Sequence, residues 1–392
     1  MNFKILILIF ALISNFSFTA NAKDTLTNAM VSAYNTSGLL QQNRAVLRAA
    51  DEDVATAASQ LAPVVSWASS ASHSGSDSSA YDTSASVSLS ADYTLYDGGK
   101  SSLGLEAAKF SVLATRSKLV SIEQNVLFEA VTAYLGVIRE TENVSLRENN
   151  LSVIREELKA ANDRFEVGEI TKTDVALAEA RLAASNSALA VAKGSYEKAV
   201  ASYISSIGVK PNSLEYPNFV PEVPNSLESA IAIALTEHPS IDELKNLIKV
   251  SEINSKIADL STGFTISLDS SVSIDEEGET SGSVGVTASG TIFSGGKLYS
   301  SSRKKIALKE QVLARLYSSK ISIEQNVTNA FSSLQVAQAA KSAAEEQIRA
   351  TEVALKGVKE EAILGARTTL DVLNAEKDLL DARVQLISAK VD

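Results

Sequence analysis

Two near-copies of a glycine-lysine motif are the part of this sequence that most resembles a chemical site, because such motifs can hold phosphate. The first, "YDGGKSS", begins at Tyr96, and the second, "FSGGKLYSS", begins at Phe293. A phosphate-binding P-loop needs another glycine five positions before its Gly-Lys pair, so that successive backbone N–H groups can surround the anion. Those positions hold Thr94 and Thr291. The motif therefore predicts no nucleotide site, and its repetition is the more informative property.

Other residue types that catalyse reactions or bind metals are scarce. The chain of 392 residues contains no cysteine, which excludes disulfides, thiol catalysis and thiolate metal sites. The two histidines are His73 and His238, and the second is expected at a helix N-terminus or turn in "TEHPSI". We therefore predict no catalytic residues, no metal and no cofactor, and an enzyme is the least expected class. The net charge of −11 argues against nucleic acid as a partner.

The N-terminus has the three-part pattern of a secretory signal peptide. Lys4 precedes an apolar run from Ile5 to Ile13, and an A-x-A cleavage site follows at residues 20–22. The apolar run is too short for a membrane anchor, and a buried N-terminal helix is the weaker alternative. We therefore predict a signal peptide at residues 1–22, removed outside the cytoplasm.

Three pairs of segments recur in the same order, which indicates a tandem duplication. Gly98 and Gly295 of the glycine-lysine motifs are 197 residues apart, and "VGEITKTDV" matches "LGARTTLDV" at the same offset. Between them, "SIEQNV" occurs at Ser121 and again at Ser322, an offset of 201. This difference predicts about four extra residues in the first long helix of one copy. The predicted repeats are residues 23–211 and 212–392.

Each repeat is predicted to contain a helix, two strands and two long helices. The strands, at about residues 64–97 and 264–294, alternate apolar residues with Ser or Thr. One apolar face and one small polar face are typical of a transmembrane barrel, although a soluble hairpin is the alternative. Four strands cannot close a barrel, because the smallest closed barrels have about eight. Several copies must therefore combine their strands, and three copies would supply twelve.

The long helices run without proline, as from Ser101 to Phe165, and carry a coiled-coil pattern of apolar residues. At ~1.5 Å per residue each would extend about 90–100 Å. The turns between them hold Gly168 and Gly365, which suit left-handed C-caps, followed by threonines at 171, 173 and 368 that suit N-caps. Both turns lie at the far end of the helices from the strands, where a partner could dock.

These features together resemble the TolC family of bacterial outer-membrane efflux and secretion channels. The features that carry the resemblance are the signal peptide, the duplicated unit, "LYDGGK" with "IFSGGK", and "RFEVGEITKTDVALAEARL" with "LGARTTLDVLNAE". The resemblance implies a mainly α protein with membrane β-strands, a homotrimer whose twelve-stranded β-barrel in the outer membrane of a Gram-negative bacterium continues into a periplasmic α-helical coiled-coil tunnel. It implies three kinds of neighbour: outer-membrane lipid, a periplasmic adaptor protein and an inner-membrane ABC or proton-driven transporter. The function implied is passive efflux or type I secretion, with a mild preference for secretion.

Residue by residue, the resemblance implies a gate at the helical tips. The gate arginine is retained as Arg367 and one ring acid as Asp371, whereas the second ring acid is Asn374 here. The gate tyrosine is replaced by Ala362 and the gate aspartate by Lys159, so a different closing network is expected. Its candidate members are Asp163, Arg164 and Asp174, and the tips that would contact the adaptor are Val167, Gly168 and Glu169 with Leu364, Gly365 and Ala366.

Two other classes of protein share part of this pattern. A trimeric coiled-coil protein of the cell envelope would explain the long helices but not the duplicated plan, and a soluble periplasmic helical bundle would need soluble strands. The last helix stops at Asp392, at least a dozen residues earlier than its counterpart in the first repeat. We expect from this difference that the C-terminal end is truncated.

Overall fold

The computed structural model describes residues 24–76, 79–217, 219 and 221–391, so the predicted signal peptide lies outside the described residues. The elements follow in this order: α1 Leu26–Thr36, α2 Gly38–Ser59, β1 Val64–Ser76, β2 Ser79–Tyr96, α3 Lys100–Glu166, α4 Lys172–Ile207, α5 Leu227–Glu237, α6 Pro239–Leu260, β3 Phe264–Asp275, β4 Thr280–Gly290, α7 Lys297–Ile363 and α8 Thr369–Val391. This is the predicted duplicated plan of two strands followed by two long helices, and the prediction of a mainly α fold with this duplicated unit is confirmed.

The two long helices α3 and α7 show how regular the duplication is. Each contains 67 residues, and both their first and their last residues are 197 positions apart (297 − 100 and 363 − 166). The prediction of about four extra residues in one copy is therefore wrong. Val126 and Ile323, which are buried and also 197 apart, are the equivalent positions. The "SIEQNV" match at 201 is displaced by about one helical turn.

The four strands form one antiparallel sheet in the order β1-β2-β3-β4. Trp67 pairs with Leu89, which pairs on its other side with Val272, so apolar residues line up across one face. On the opposite face, serine hydroxyls bond across neighbouring strands, as in Ser66 with Ser90 at 2.8 Å and Ser271 with Ser283 at 2.9 Å. The predicted alternation is confirmed, although β4 ends at Gly290, four residues before the predicted limit of 294.

The first helical stretch is interrupted, whereas the sequence predicted a single helix before the first two strands. Ser37 has extended backbone and separates α1 from α2. The break occurs at a tertiary contact, since the Thr36 hydroxyl lies 2.9 Å from the carbonyl of Ile207, where α4 ends, and 2.9 Å from that of Ser32, and it donates to one at a time. At the next position Gly208 has a φ of 85°, and a Cβ there would lie 2.6 Å from the Thr36 hydroxyl oxygen.

A buried tyrosine fixes the first described residues of the chain. The Tyr134 hydroxyl lies 2.7 Å from the Asp24 carbonyl and 2.6 Å from the Glu215 carbonyl, and it donates to one at a time. It also accepts from the Glu215 N–H at 3.1 Å. Asp24 bridges Leu214 in parallel β fashion, so the segment before α1 and the segment after α4 are held together.

The chain divides into two compact units, each built from both repeats. One comprises the described parts of Met1–Ser37, Asn125–Val223 and Ser332–Asp392, and the other comprises Gly38–Gln124 and Pro224–Phe331. The sheet belongs to the second unit and both helical tips to the first. The predicted repeat boundary between residues 211 and 212 falls in the irregular segment after α4 and stays a prediction.

Within the described ranges, no helix combines the length and the apolar character that crossing a bilayer requires.

Candidate functional site: the paired helical tips

The glycine-lysine motifs are strand-to-helix turns. Gly98 and Gly99 have φ values of 74° and 87°, in the left-handed region that favours glycine. The Asp97 carboxylate accepts from the N–H groups of Gly99 at 2.8 Å and Ser101 at 2.7 Å. Backbone amides that a phosphate would need are thus occupied by the chain's own side chain. In the second copy, Gly295 and Gly296 adopt the same left-handed conformation.

The turn between each pair of long helices has the same geometry in both copies. Gly168 and Gly365 have φ values of 77° and 76°, which confirms the predicted left-handed caps. The Glu169 N–H donates to the Arg164 carbonyl at 2.9 Å, and the Ala366 N–H donates to the Glu361 carbonyl at 2.9 Å. These are the hydrogen bonds of a Schellman motif, so both tips end their helices in the same way.

The helix after each turn begins with a capping box. Asp174 accepts from the N–H and the hydroxyl of Thr171 at 2.9 and 2.8 Å, and Thr171 accepts from the Asp174 N–H. Asp371 and Thr368 repeat the same bonds at 2.9 and 2.8 Å. The hydrogen bonds from the threonine N–H and hydroxyl groups lower the pKa of both carboxyl groups. The two predicted gate acids are thus the two copies of one helix cap.

The tips present apolar side chains to solvent. Val167 in the first tip is 72% exposed and Leu364 in the second is 84% exposed. Gly168, Glu169, Gly365 and Ala366 are also exposed. The residues predicted to contact an adaptor therefore lie together on the two turns and are accessible within this chain.

Arg367 is engaged by a neighbour that the sequence reasoning missed. Its Nε donates to Glu361 Oε2 at 2.8 Å, and this hydrogen bond together with the charge of Glu361 raises the pKa of the guanidinium. By contrast, Lys159 and Asp163 are exposed and make no ion pair within the described parts of the chain. Arg367 thus forms an ion pair with a residue beside its own turn, and among the described residues it forms none with Asp163 or Asp174 and no contact with Lys159.

The second hairpin, α7 with α8, contacts the first, α3 with α4, and a buried leucine lies in this contact. Leu373 is 1% exposed, and it packs among three buried residues of the first hairpin, which are Ile154, Ala161 and Ala178. Beside it, Arg181 Nη2 donates to Asn374 Oδ1 at 2.7 Å. The predicted ring position Asn374 therefore contributes directly to the contact between the hairpins.

One lysine links three of the four long helices. Lys359 on α7 pairs with Glu376 on α8, and its Nζ also lies 3.8 Å from Glu157 Oε1 on α3. Glu376 is largely buried, with a side chain 11% exposed, so the pair is screened less than a surface pair. Glu376 has a counterpart in Glu179, 197 residues earlier, but the sequence offers no signal for its partner, because Lys359 aligns with Asn162 in the first copy.

Within the described parts of the chain, no group of three or more His, Asp or Glu side chains is placed to hold a metal ion. The site consists of two capped turns, exposed apolar side chains at the tips, and a small set of polar contacts between the hairpins. This arrangement, joined to a sheet with one apolar and one serine-rich face, defines a duplicated channel subunit with helical hairpins.

The comparisons with known proteins agree with that class. The sequence matches the outer membrane efflux protein family over residues 30–209 and 258–392, and the chain belongs to this family. It is 33% identical over 380 residues to the outer membrane efflux protein BepC of Brucella suis, covering 95% of this chain and 83% of that protein. The expectations of an outer-membrane location, with a part that extends into the periplasm, and of an efflux or secretion channel are confirmed.

Two further similarities are more distant. The chain is 25% identical over 306 residues to the alkaline protease secretion protein AprF of Pseudomonas aeruginosa, covering 71% of this chain and 61% of that protein. The structure superposes on the outer membrane protein VceC of Vibrio cholerae with a TM-score of 0.82 and 19% identity, covering 93% of this chain and 92% of that one. The structural similarity to VceC supports the fold described above.

Proposed function

We propose that this protein is the exit duct of a tripartite system, which conducts cargo passively from an inner-membrane ABC or proton-driven transporter across the periplasm and the outer membrane. The observation that carries the proposal is the pair of accessible tips with the same turn geometry. The first helix of each hairpin follows a strand of a sheet that has membrane-type faces. The names of the two relatives refer to efflux and to protease secretion, and one duct suits both.

In this proposal three copies combine their sheets. The sheet has four strands, and the outer strands β1 and β4 each leave one edge unpaired within the chain. Unpaired backbone groups in lipid cost several kcal/mol each, so the edges must be joined between copies. Three copies give twelve strands (3 × 4), with the apolar face toward lipid and the serine face toward water. The helices of the three copies would form the periplasmic tunnel.

The tips would bind a periplasmic adaptor and control the opening. Val167, Gly168 and Glu169 with Leu364, Gly365 and Ala366 would form the adaptor contact, because they are exposed and duplicated. Arg367, Asp371 and Asn374 with Lys159, Asp163 and Asp174 would form the gate and set ion preference. Opening is then a shift between two populations, which requires that the adaptor bind the open state more tightly.

The native mass of the full chain, extracted from outer membranes in mild detergent, tests the assembly. A trimer is expected. A monomer in detergent, or recovery in the soluble periplasmic fraction, would contradict the proposal that three copies combine their sheets. The proposed duct would then be wrong as well. Repeating the mass measurement after a high-salt wash distinguishes a stable trimer from copies that associate only through weak electrostatic contacts, because salt screens such contacts.

A further inference from the structure

The residues that follow the sheet are strongly basic in a chain that is otherwise acidic. From Lys297 to Lys320 the sequence holds seven Lys or Arg residues and one acidic residue, whereas the whole chain has a net charge of −11. The first copy repeats the tendency, with four basic residues and one acidic residue from Lys100 to Val120. We define the basic collar as five of these cations, namely Lys100, Lys297, Arg303, Lys304 and Lys305.

The cations of the basic collar have few acidic partners, although the charge of Lys100 acts on the neighbouring Asp97 carboxylate. None of the five makes an ion pair within the described residues. Lys100 Nζ lies 3.5 Å from the Thr265 hydroxyl, a weak neutral contact at the beginning of β3. Asp259, an acid that contacts the beginning of α7, accepts from the Ser302 hydroxyl at 2.5 Å. Four or more uncompensated charges thus collect at the beginnings of α3 and α7.

The collar lies beside the end of the sheet that carries aromatic and large apolar side chains. Tyr96 at the end of β2 contacts Phe264 at the beginning of β3, with ring centroids 5.4 Å apart. Ile292 and Phe293, between β4 and α7, are almost fully exposed. Aromatic residues concentrate where transmembrane strands meet the membrane interface. The first collar residues follow this end within a few positions, Lys100 after Tyr96 and Lys297 after Phe293.

The depth of the collar along α7 matches the zone in which a charged membrane surface acts. At ~1.5 Å per residue, Arg303, Lys304 and Lys305 lie about 9–12 Å beyond the beginning of the helix. The field of an anionic surface decays over about 8–10 Å at ordinary ionic strength. The three residues are consecutive, so their side chains point about 100° apart, and at least one faces outward whichever side of α7 is covered.

We propose that the basic collar binds anionic phospholipid headgroups of the periplasmic leaflet, such as phosphatidylglycerol or cardiolipin. The inference rests on the proposed function, since it requires the apolar face of the sheet to lie in the outer membrane with the helices in the periplasm. Charge complementarity selects an anionic lipid, and the continuous apolar and aromatic surface above the collar selects a bilayer over a soluble anion. The lipid would fix the depth of the sheet and resist tilting when a partner pulls on the tips.

Trp67, the single tryptophan of the chain, provides the measurement. It is 74% exposed on the apolar face, three residues from the beginning of β1 at the helix-proximal end of the sheet. The full-length protein is reconstituted in phosphatidylethanolamine bilayers that contain brominated phosphatidylglycerol or, separately, brominated phosphatidylethanolamine. Quenching by each lipid gives their relative affinity at the surface beside Trp67. We expect phosphatidylglycerol to be preferred by at least about fivefold, since each cation near an anionic surface contributes a factor of that order.

The test variant is R303Q with K304Q and K305Q, which removes three of the five collar cations and should reduce the preference by more than about half. The matched control is K341Q with K356Q and K390Q, which removes three exposed cations distant in sequence from the collar and should leave the preference unchanged. Raising salt from about 0.1 M to about 1 M should abolish the preference in the unmodified protein, because the screening length falls from about 10 Å to about 3 Å. The salt arm does not depend on folding of a variant.

The outcomes separate the inference from the proposed function. Quenching by both lipids with no preference for phosphatidylglycerol would overturn the collar and leave the membrane-embedded sheet intact. An equal loss of preference in test and control variants would also overturn it, since total charge would then be responsible. Absence of quenching by either lipid would show that the apolar face does not contact lipid. That result would contradict the proposed function itself, on which the collar depends.

Discussion

Asp371 accepts hydrogen bonds from both the N–H and the hydroxyl of Thr368, at 2.9 and 2.8 Å. The equivalent Asp174 holds Thr171 in the same way. A carboxylate that forms these capping hydrogen bonds stabilises the first turn of the helix that follows. The charged residue at each tip therefore also determines where the loop ends and the helix begins. In the proposed gate, the charge at each tip and the geometry of its turn therefore depend on the same capping carboxylate.

The first prediction concerns the pH dependence of the tips. The folded pKa of Asp174 and of Asp371 is lowered by the threonine hydrogen bonds, so each cap stabilises the fold above the unfolded pKa of about 3.9. That contribution is lost as pH falls through the lower folded pKa. We expect the amides of Thr171 and Thr368 to lose hydrogen-exchange protection below about pH 4, after correction for the intrinsic exchange rate.

The chain provides a matched control for this measurement. Ser226 caps α5 through its hydroxyl, which accepts from the Ser229 N–H at 3.2 Å, and no carboxylate takes part. Its protection should not change over the same pH range. D371N, which keeps an acceptor oxygen but cannot titrate, should remove the pH dependence at the second tip alone. Parallel loss at all three caps would attribute the effect to general acid unfolding.

The second prediction concerns Arg367 as a gate residue. R367A should raise single-channel conductance in planar bilayers, because it removes a cation that holds the second tip in its present arrangement. E361Q separates two explanations, since Glu361 is the partner observed at 2.8 Å. If the pair within the turn keeps the gate closed, E361Q should raise conductance as much as R367A, and the double variant should add nothing. Unchanged conductance in R367A would remove Arg367 from the gate.

A third prediction tests the leucine that joins the hairpins. L373A should destabilise the contact between them by about 2.7–5 kcal/mol, the range for removing a fully buried leucine. L370A, one turn earlier on α8 and exposed at its position, is the matched control and should have little effect. Hydrogen exchange at Ile154 and Ala178 reports on the contact. Equal effects of the two substitutions would show that Leu373 does not hold the hairpins together.

The sequence predicted most elements, and the physical reasons for its failures are specific. Alternation of apolar residues with serine predicted the sheet, and Gly168 and Gly365 predicted the turns, because both signals are local. The interruption at Ser37 was missed because it depends on Thr36 meeting Ile207, 171 residues away. The "SIEQNV" repeat misled because identical letters one turn apart on a helix do not occupy equivalent positions in the packing.

At the site, the sequence suggested candidate positions, which stay a prediction, and it could not indicate what their side chains contact. Asp371 was expected in a ring of acids, and its observed hydrogen bonds are those of a helix cap. Lys359 carried no local signal, since its role depends on two acids on other helices. Side-chain partners across helices depend on the relative rotation of those helices, which a single sequence does not contain. The duplication helped to predict a residue's role only where the equivalent residues of both copies make the same contacts, as the two capping aspartates do.

A fourth prediction concerns the anchor of the first described residues. Y134F should destabilise the protein by about 1–3 kcal/mol, because it leaves the Glu215 N–H and a carbonyl without their buried partner. Y203F is the matched control, since that tyrosine is equally buried and its ring lies 6.4 Å from Tyr134. Thermal unfolding of the two variants should differ clearly. Equal losses would assign the effect to ring packing instead of the hydrogen bonds to Asp24 and Glu215.

The last prediction decides what Asn374 does. In the structure its Oδ1 accepts from Arg181 Nη2 at 2.7 Å, so N374D would replace a neutral acceptor with a charged one and strengthen the bond between the hairpins. We expect N374D to lower the open probability of the channel, and the additional substitution R181Q to reverse that change.

The alternative is that residue 374 acts on ions in the lumen. In that case N374D would increase cation selectivity, measured as the reversal potential in a salt gradient, and R181Q would not reverse the increase. An acid at this position raises cation preference only if its charge is not neutralised by Arg181. A selectivity change without any change in open probability would therefore assign Asn374 to the lumen and remove it from the contact that holds the gate closed.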